Sequence, residues 1–91
     1  MKYIYLVNST SKNSQSRLIG AYTNREKAVG AAVDDTPLYG EWDVTPRKAQ
    51  DQVRDGGACS ISVEYEDGPA HLFDPVSFVI EQVPVNKRLY H

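Results

Sequence analysis

Glu64, Glu66 and Asp67, with Asp74 nearby, come closest in this chain to a pattern that could do chemistry. Two carboxylates two residues apart on a strand lie on one face. There they can hold a hard cation or divide acid and base roles. The same spacing arises on any solvated strand face, where acids keep a hairpin soluble, and spacing alone favours that plainer reading. His71 follows the Asp67-Gly68 turn and could serve as a base, yet no Ser or Cys with a local nucleophile signature accompanies it. The second histidine, His91, ends the sequence. Cys59 opens a strand and reads as a small core residue, and no Cys or His pair has zinc-ligand spacing. Gly56-Gly57 does not stand between a strand and a helix start, so it is no phosphate cradle. Tyr3, Tyr5 and Tyr22 could form a stacking platform for bases, but they sit in the most apolar strands, which favours a core role. No catalytic residue, metal site or cofactor is therefore expected.

The elements that must position these residues begin with the unit from Lys2 to Asp35. Tyr3 to Val7 are aromatic, β-branched or Leu, which suits a strand. Both of its faces are apolar, so it is expected mid-sheet and covered on both sides. The polar stretch Ser9 to Ser16 reads as a long hairpin loop, with a binding loop as the alternative. Arg17 to Thr23 is the second strand. Thr23 to Glu26 then fits a capping box that opens a helix. Ala28, Val29, Ala31, Ala32 and Val33 form that helix's apolar stripe, and Asp34, Asp35 and Pro37 stop it.

Glu41 to Val44 alternates as a short strand with Trp42 and Val44 inward. Thr45-Pro46 is a helix start, and Gly56-Gly57 a stop. Between them only Ala49 and Val53 offer apolar anchors, so residues 46–55 are either a short helix or an ordered loop. In Ala58 to Glu66, Ile61, Val63 and Tyr65 face one way while Ser60, Ser62, Glu64 and Glu66 face the other. Val76 to Val85 is the last strand, with Pro84 marking its end or a sheet edge. The expected fold is a single α+β domain over residues 1–91. It has a mostly antiparallel sheet of four to five strands, one main helix on one face and room for a short second helix.

Composition narrows the function classes. The chain has 91 residues, 41% of them hydrophobic, with six Tyr and one Trp, which supports one modest core. The opening apolar run is too short for a signal peptide or a membrane span, and a lone Cys59 fits a reducing compartment. A cytoplasmic protein is expected, without membrane contact. The net charge of −2 conceals segregation. Residues 1–27 carry five basic residues against Glu26 alone, whereas residues 28–86 carry three against eleven acids. No long basic run is present to neutralise phosphates, so direct nucleic-acid binding is disfavoured.

Lys2, Tyr3, Tyr5, Leu6 and Val7, followed by Gly20, Tyr22, Thr23, Glu26, Lys27 and Ala28, resemble the opening of a group of small phage and prophage accessory proteins. That resemblance covers roughly the first third of the chain and brings no catalytic set with it. It implies a phage-associated protein that acts by binding a host component. The function expected is thus a protein-binding module, inhibiting a host defence or regulatory protein through the acidic face of Glu64, Glu66, Asp67 and Asp74. The alternative is a small-ligand-binding or enzyme-like protein with a pocket at a homodimer interface, lined by Tyr and Trp and served by His71.

Overall fold

The computed structural model describes residues 2–11, 16–36, 40–65 and 76–85. They form strands β1 (Tyr3–Ser11) and β2 (Arg17–Tyr22), helix α1 (Arg25–Asp35), strand β3 (Gly40–Trp42), helix α2 (Pro46–Gly56), and strands β4 (Ala58–Tyr65) and β5 (Val76–Pro84). The strands make one antiparallel sheet in the order β2-β1-β5-β4-β3, so the first and last strands of the sequence pair near its middle. This is the α+β class expected.

Alternation along each strand sorts the sheet into two faces. Val7 lies opposite Ile80, Cys59 opposite the same Ile80, Ile61 opposite Phe78, and Trp42 opposite Val63. All of these share the face that receives both helices. α1 packs on β2 and β1 and reaches β5, while α2 packs on β4 and β5 and against α1. The buried residues are Tyr5 and Val7 of β1, Cys59, Ile61 and Val63 of β4, and Phe78 and Ile80 of β5. Ala28, Val29 and Ala32 of α1, with Ala49 and Val53 of α2, complete the core. Small residues dominate the helix side, which lets both helices lie close to the sheet.

Several expectations are corrected. β1 lies between two strands as expected, but among the described residues only its Tyr5 and Val7 face is covered; Ile4 and Leu6 are half-buried on the other side. Its polar end, Ser9 to Ser11, is strand rather than loop, because each residue pairs with β5. Residues 12–15 of the expected loop lie outside the described residues. The helix cap is Asn24, not Thr23: its side-chain oxygen accepts the Lys27 N–H at 2.8 Å. Lys27 thereby occupies the third helical position, and the Thr23/Glu26 box does not form. Val33 is not part of the buried stripe, being 43% exposed. β3 stops at Trp42, and the Asp43 carboxylate continues the pairing by accepting the Ser62 N–H at 3.1 Å. Pro84 ends β5, which is an inner strand and not an edge.

Residues 46–56 are a full helix of eleven residues. Thr45 caps it by accepting the Lys48 N–H at 3.1 Å, and Pro46 sits in the first turn. Gly57 closes it with φ +80° and donates its N–H to the Val53 carbonyl at 2.8 Å. Ala49 and Val53 are both wholly buried, so two anchors suffice where α1 and β4 supply the wall. A side chain at Gly57 would be forced into the left-handed region, which costs about 1–2 kcal/mol. Gly57→Val should therefore lower the urea midpoint by that equivalent, whereas Gly56→Ala, inside the helix with open space at its Cβ, should leave it unchanged or raise it.

Trp42 ties the sheet edge to the end of α1. Its indole N–H donates to Thr36 Oγ1 at 2.8 Å, and that hydroxyl donates to the Ala32 carbonyl at 2.8 Å. Its ring lies 6.3 Å from that of Phe78, tilted by 43°. The edge strand with the only tryptophan is thereby joined to both layers.

Candidate functional site

The face of the sheet opposite the helices carries no other described element. Its positions are read from the register: Ile4, Leu6 and Asn8 on β1, Val79, Glu81 and Val83 on β5, and Leu18 and Ala21 on β2. Thr10 on β1, Ser77 on β5, Ala58, Ser60, Ser62 and Glu64 on β4, and Glu41 on β3 share it. The β2-β1-β5 half is mostly apolar, with Leu18 59% exposed, but Glu81 stands opposite Leu6 and Asn8 opposite Val79 within it. Apart from Ala58, the β4-β3 half is Ser and Glu.

Glu64 is where sequence places it, exposed on the solvated face of β4. The residue beside it was not foreseen. Glu41 on β3 is its directly opposed cross-strand partner, and both are exposed. Like charges in this position repel and weaken the pairing, and no basic residue joins them in an ion pair among the described residues. Glu81 shares the face but pairs with Ala58 at the other end of β4, about 20 Å from Glu64 at the usual strand rise. Glu66, Asp67 and Asp74 lie outside the described residues, as do His71 and His91. Among the described residues no group of three metal-ligating side chains comes together. Alternation could have put Glu41 on the outer face, since Trp42 points inward. Only the β3–β4 register brings it against Glu64.

Cys59 is buried in the core, where its thiol donates to Gln52 Oε1 at 3.1 Å. Burial, then the Asp43 carboxylate, pushes its pKa above the ordinary thiol value of 9.0. The thiol is held neutral, the opposite of what a nucleophile needs. The stability consequence has a definite sign. Above pH 9 an unfolded chain ionises this thiol while the folded chain does not, so unfolding becomes easier as pH rises. Denaturation at pH 7–10 should show a stability loss at the alkaline end that is smaller in Cys59→Ala. Equal slopes in both proteins would mean that the thiol does not titrate differently on folding.

The outer surface of α2 is organised by charge. Arg54 lies 3.0 Å from Asp55 and 3.4 Å from Asp51. The hydrogen bond from Arg54, then its charge, holds the Asp55 carboxyl below its ordinary range. At the other helix, Arg17 reaches Asp35 at 3.3 Å and offsets one of the two acids at the negative end of α1. Both sets are exposed, so they contribute little to stability.

Two clefts adjoin at the start of α1. One of about 350 Å³ is lined by Tyr5, Thr23, Asn24, Arg25, Glu26 and Gln50. The other, about 560 Å³, is lined by Lys2, Tyr3, Ile4, Tyr5, Thr23 and Val85. Tyr3 and Tyr5, two of the three tyrosines expected in the core, are here as well, with Tyr5 both buried in the core and lining each cleft.

Among the described residues, fold and surface together define a two-layer α+β arrangement: one antiparallel sheet, two helices on one side, and an amphipathic face on the other. Compared with protein-family models, curated proteins and solved structures, the chain matches none. No helix among the described residues is long and apolar enough to cross a membrane.

Proposed function

We propose that this chain is a protein-binding module whose open sheet face docks a basic protein partner. The observation that carries this reading is the set of apolar residues Ile4, Leu6, Val79 and Val83, broken by Asn8 and Glu81, on the same face as the opposed carboxylates Glu41 and Glu64, a face that no other described element covers. An apolar patch bordered by unneutralised charge of one sign is the common form of a docking surface. A cationic partner would relieve the Glu41–Glu64 repulsion on binding, converting a cost in the free protein into affinity. The phage-like opening makes a bacterial host protein the first partner class to test, with inhibition of a defence or regulatory protein as the outcome of docking.

The test is a tagged capture from nuclease-treated bacterial lysate, run in parallel with the doubly reversed variant Glu41→Lys/Glu64→Lys. The expected result is a stoichiometric protein retained by the parent chain, identified by native mass spectrometry and lost from the variant. A partner held equally by both chains would remove the acidic corner from the interface. Recovery of the chain alone, or only with itself, would remove the reading.

A further inference from the structure

Glu81 occupies the central strand of the sheet, β5, and is exposed on the face opposite the helices. We infer that it selects the partner of this face, by demanding a lysine or arginine set within the apolar side of an amphipathic helix. The inference rests on the docking role proposed above and names what must dock. The register surrounds Glu81 with apolar side chains. Leu6 on β1 and Ala58 on β4 stand directly opposite it, and Val79 and Val83 flank it on its own strand. Opposed residues bring their Cβ atoms to about 4.5–5.5 Å, and the flanking pair stands about 7 Å off.

No cation of the sheet answers this carboxylate. Arg17 is the only basic residue in the five strands, and its guanidinium is turned to Asp35 of α1 on the helix side. Lys2, just before β1, lies beside Val85, four residues and so about 14 Å from Glu81 along the sheet. In the free protein water solvates Glu81. A partner that buries Leu6, Val79 and Val83 must strip that water too. A carboxylate left unpaired among apolar groups is heavily penalised, whereas one that meets an ammonium or guanidinium stays paired and hydrogen-bonded. Apolar surfaces without a cation at this point are therefore rejected, which is specificity by exclusion. A lysine or arginine also suits the place sterically, because its methylene stem can lie along Leu6, Val79 and Val83 while its head reaches the carboxylate.

The form of the partner follows from the ladder. β1, β5 and β4 each have a strand on both sides, so their backbone groups are committed within the sheet. Whatever docks on this face meets side chains alone and must satisfy its own backbone, as a helix does. Glu64 lies one strand over and about 20 Å along from Glu81. A helix comes back to nearly the same face after about fourteen residues, a rise of about 21 Å. Two cations at that spacing meet Glu81 and the Glu41–Glu64 corner together.

The experiment is an amide NMR titration of the full ¹⁵N-labelled chain with a synthetic amphipathic helical peptide carrying two arginines fourteen residues apart on its apolar face. A second peptide has neutral citrulline in place of both. Saturable shifts are expected around Glu81, with the arginine peptide binding about tenfold or more tighter than the citrulline one. Glu81→Gln, which keeps the size and removes the charge, should weaken the arginine peptide about tenfold or more. Glu81→Lys should abolish binding, and both variants should stay folded because an exposed side chain is changed. A charge that only keeps the apolar face from self-association works with either sign, so undiminished binding in Glu81→Lys would overturn the inference. Equal binding of the two peptides, or no saturable shifts, would do the same. In the lysate capture, a protein lost from Glu41→Lys/Glu64→Lys yet held equally by Glu81→Lys would overturn this inference and leave the docking role standing. Capture of no protein overturns the docking role itself.

Discussion

Phe78→Ala is expected to remove about 3–5 kcal/mol of stability, the range for deleting a buried phenyl ring. A domain of this size has about 5–15 kcal/mol in total, and here the core is assembled from few large side chains. Phe78 is wholly inaccessible and lies on the inner strand β5, opposite Ser9 on β1 and Ile61 on β4. It also meets the ring of Trp42, so its loss unseats the β3 edge along with the sheet centre. Urea unfolding followed by circular dichroism should place the variant at or past the edge of folding at 25 °C. The neighbouring substitution Val79→Ala gives the contrast. Val79 is half-buried on the opposite face, where no described element covers it, so its cost should stay below about 1 kcal/mol. Similar costs for the two would place a second layer over that face and withdraw it as a docking surface.

Much of this layering is legible in the residues. Ile61 and Val63 alternate with Ser60, Ser62 and Glu64, and that period alone sorts β4 into a core face and a wet one. Thr45-Pro46 and Gly56-Gly57 bracket α2 by local chemistry alone. What escapes such reading is decided by partners. Ser9, Thr10 and Ser11 have no apolar period, and they are strand because β5 lies beside them with backbone groups to satisfy. Thr23 and Asn24 are both competent caps one residue apart, and only the path out of β2 selects Asn24. Ile4 and Leu6 match a covered strand as well as an open amphipathic face, since apolarity does not say which layer arrives. For the candidate site, Glu64 is visible from alternation, whereas Glu41 becomes its neighbour only through the β3–β4 register. The Tyr5 cleft likewise depends on α1 packing on β1 and α2 packing on α1, a juxtaposition of segments some twenty residues apart or more.

Reversing the acidic corner should move stability and binding in opposite directions. Glu41→Lys turns a directly opposed like-charge pair into an opposite-charge one across β3 and β4. Cross-strand pairs of this kind contribute about 0.2–1 kcal/mol, so the variant should unfold at higher urea than the parent. The same change should weaken the docked complex proposed above. A carboxylate that meets a basic group and leaves water on docking is worth about 2–5 kcal/mol when its pairing is broken, a loss of about thirtyfold or more in affinity. Glu41→Lys/Glu64→Lys restores like charge with the sign inverted. It should give back the stability gain while abolishing binding, because the partner now faces two cations. Increasing salt should weaken the parent complex and affect the single variant less, as surface attraction is screened. A residue held against the stability of its own strand pair, and needed only when a partner is present, is one whose role lies in recognition. If Glu41→Lys instead destabilises the fold and leaves binding intact, the pair is structural, and the interface must be sought on the apolar strip alone.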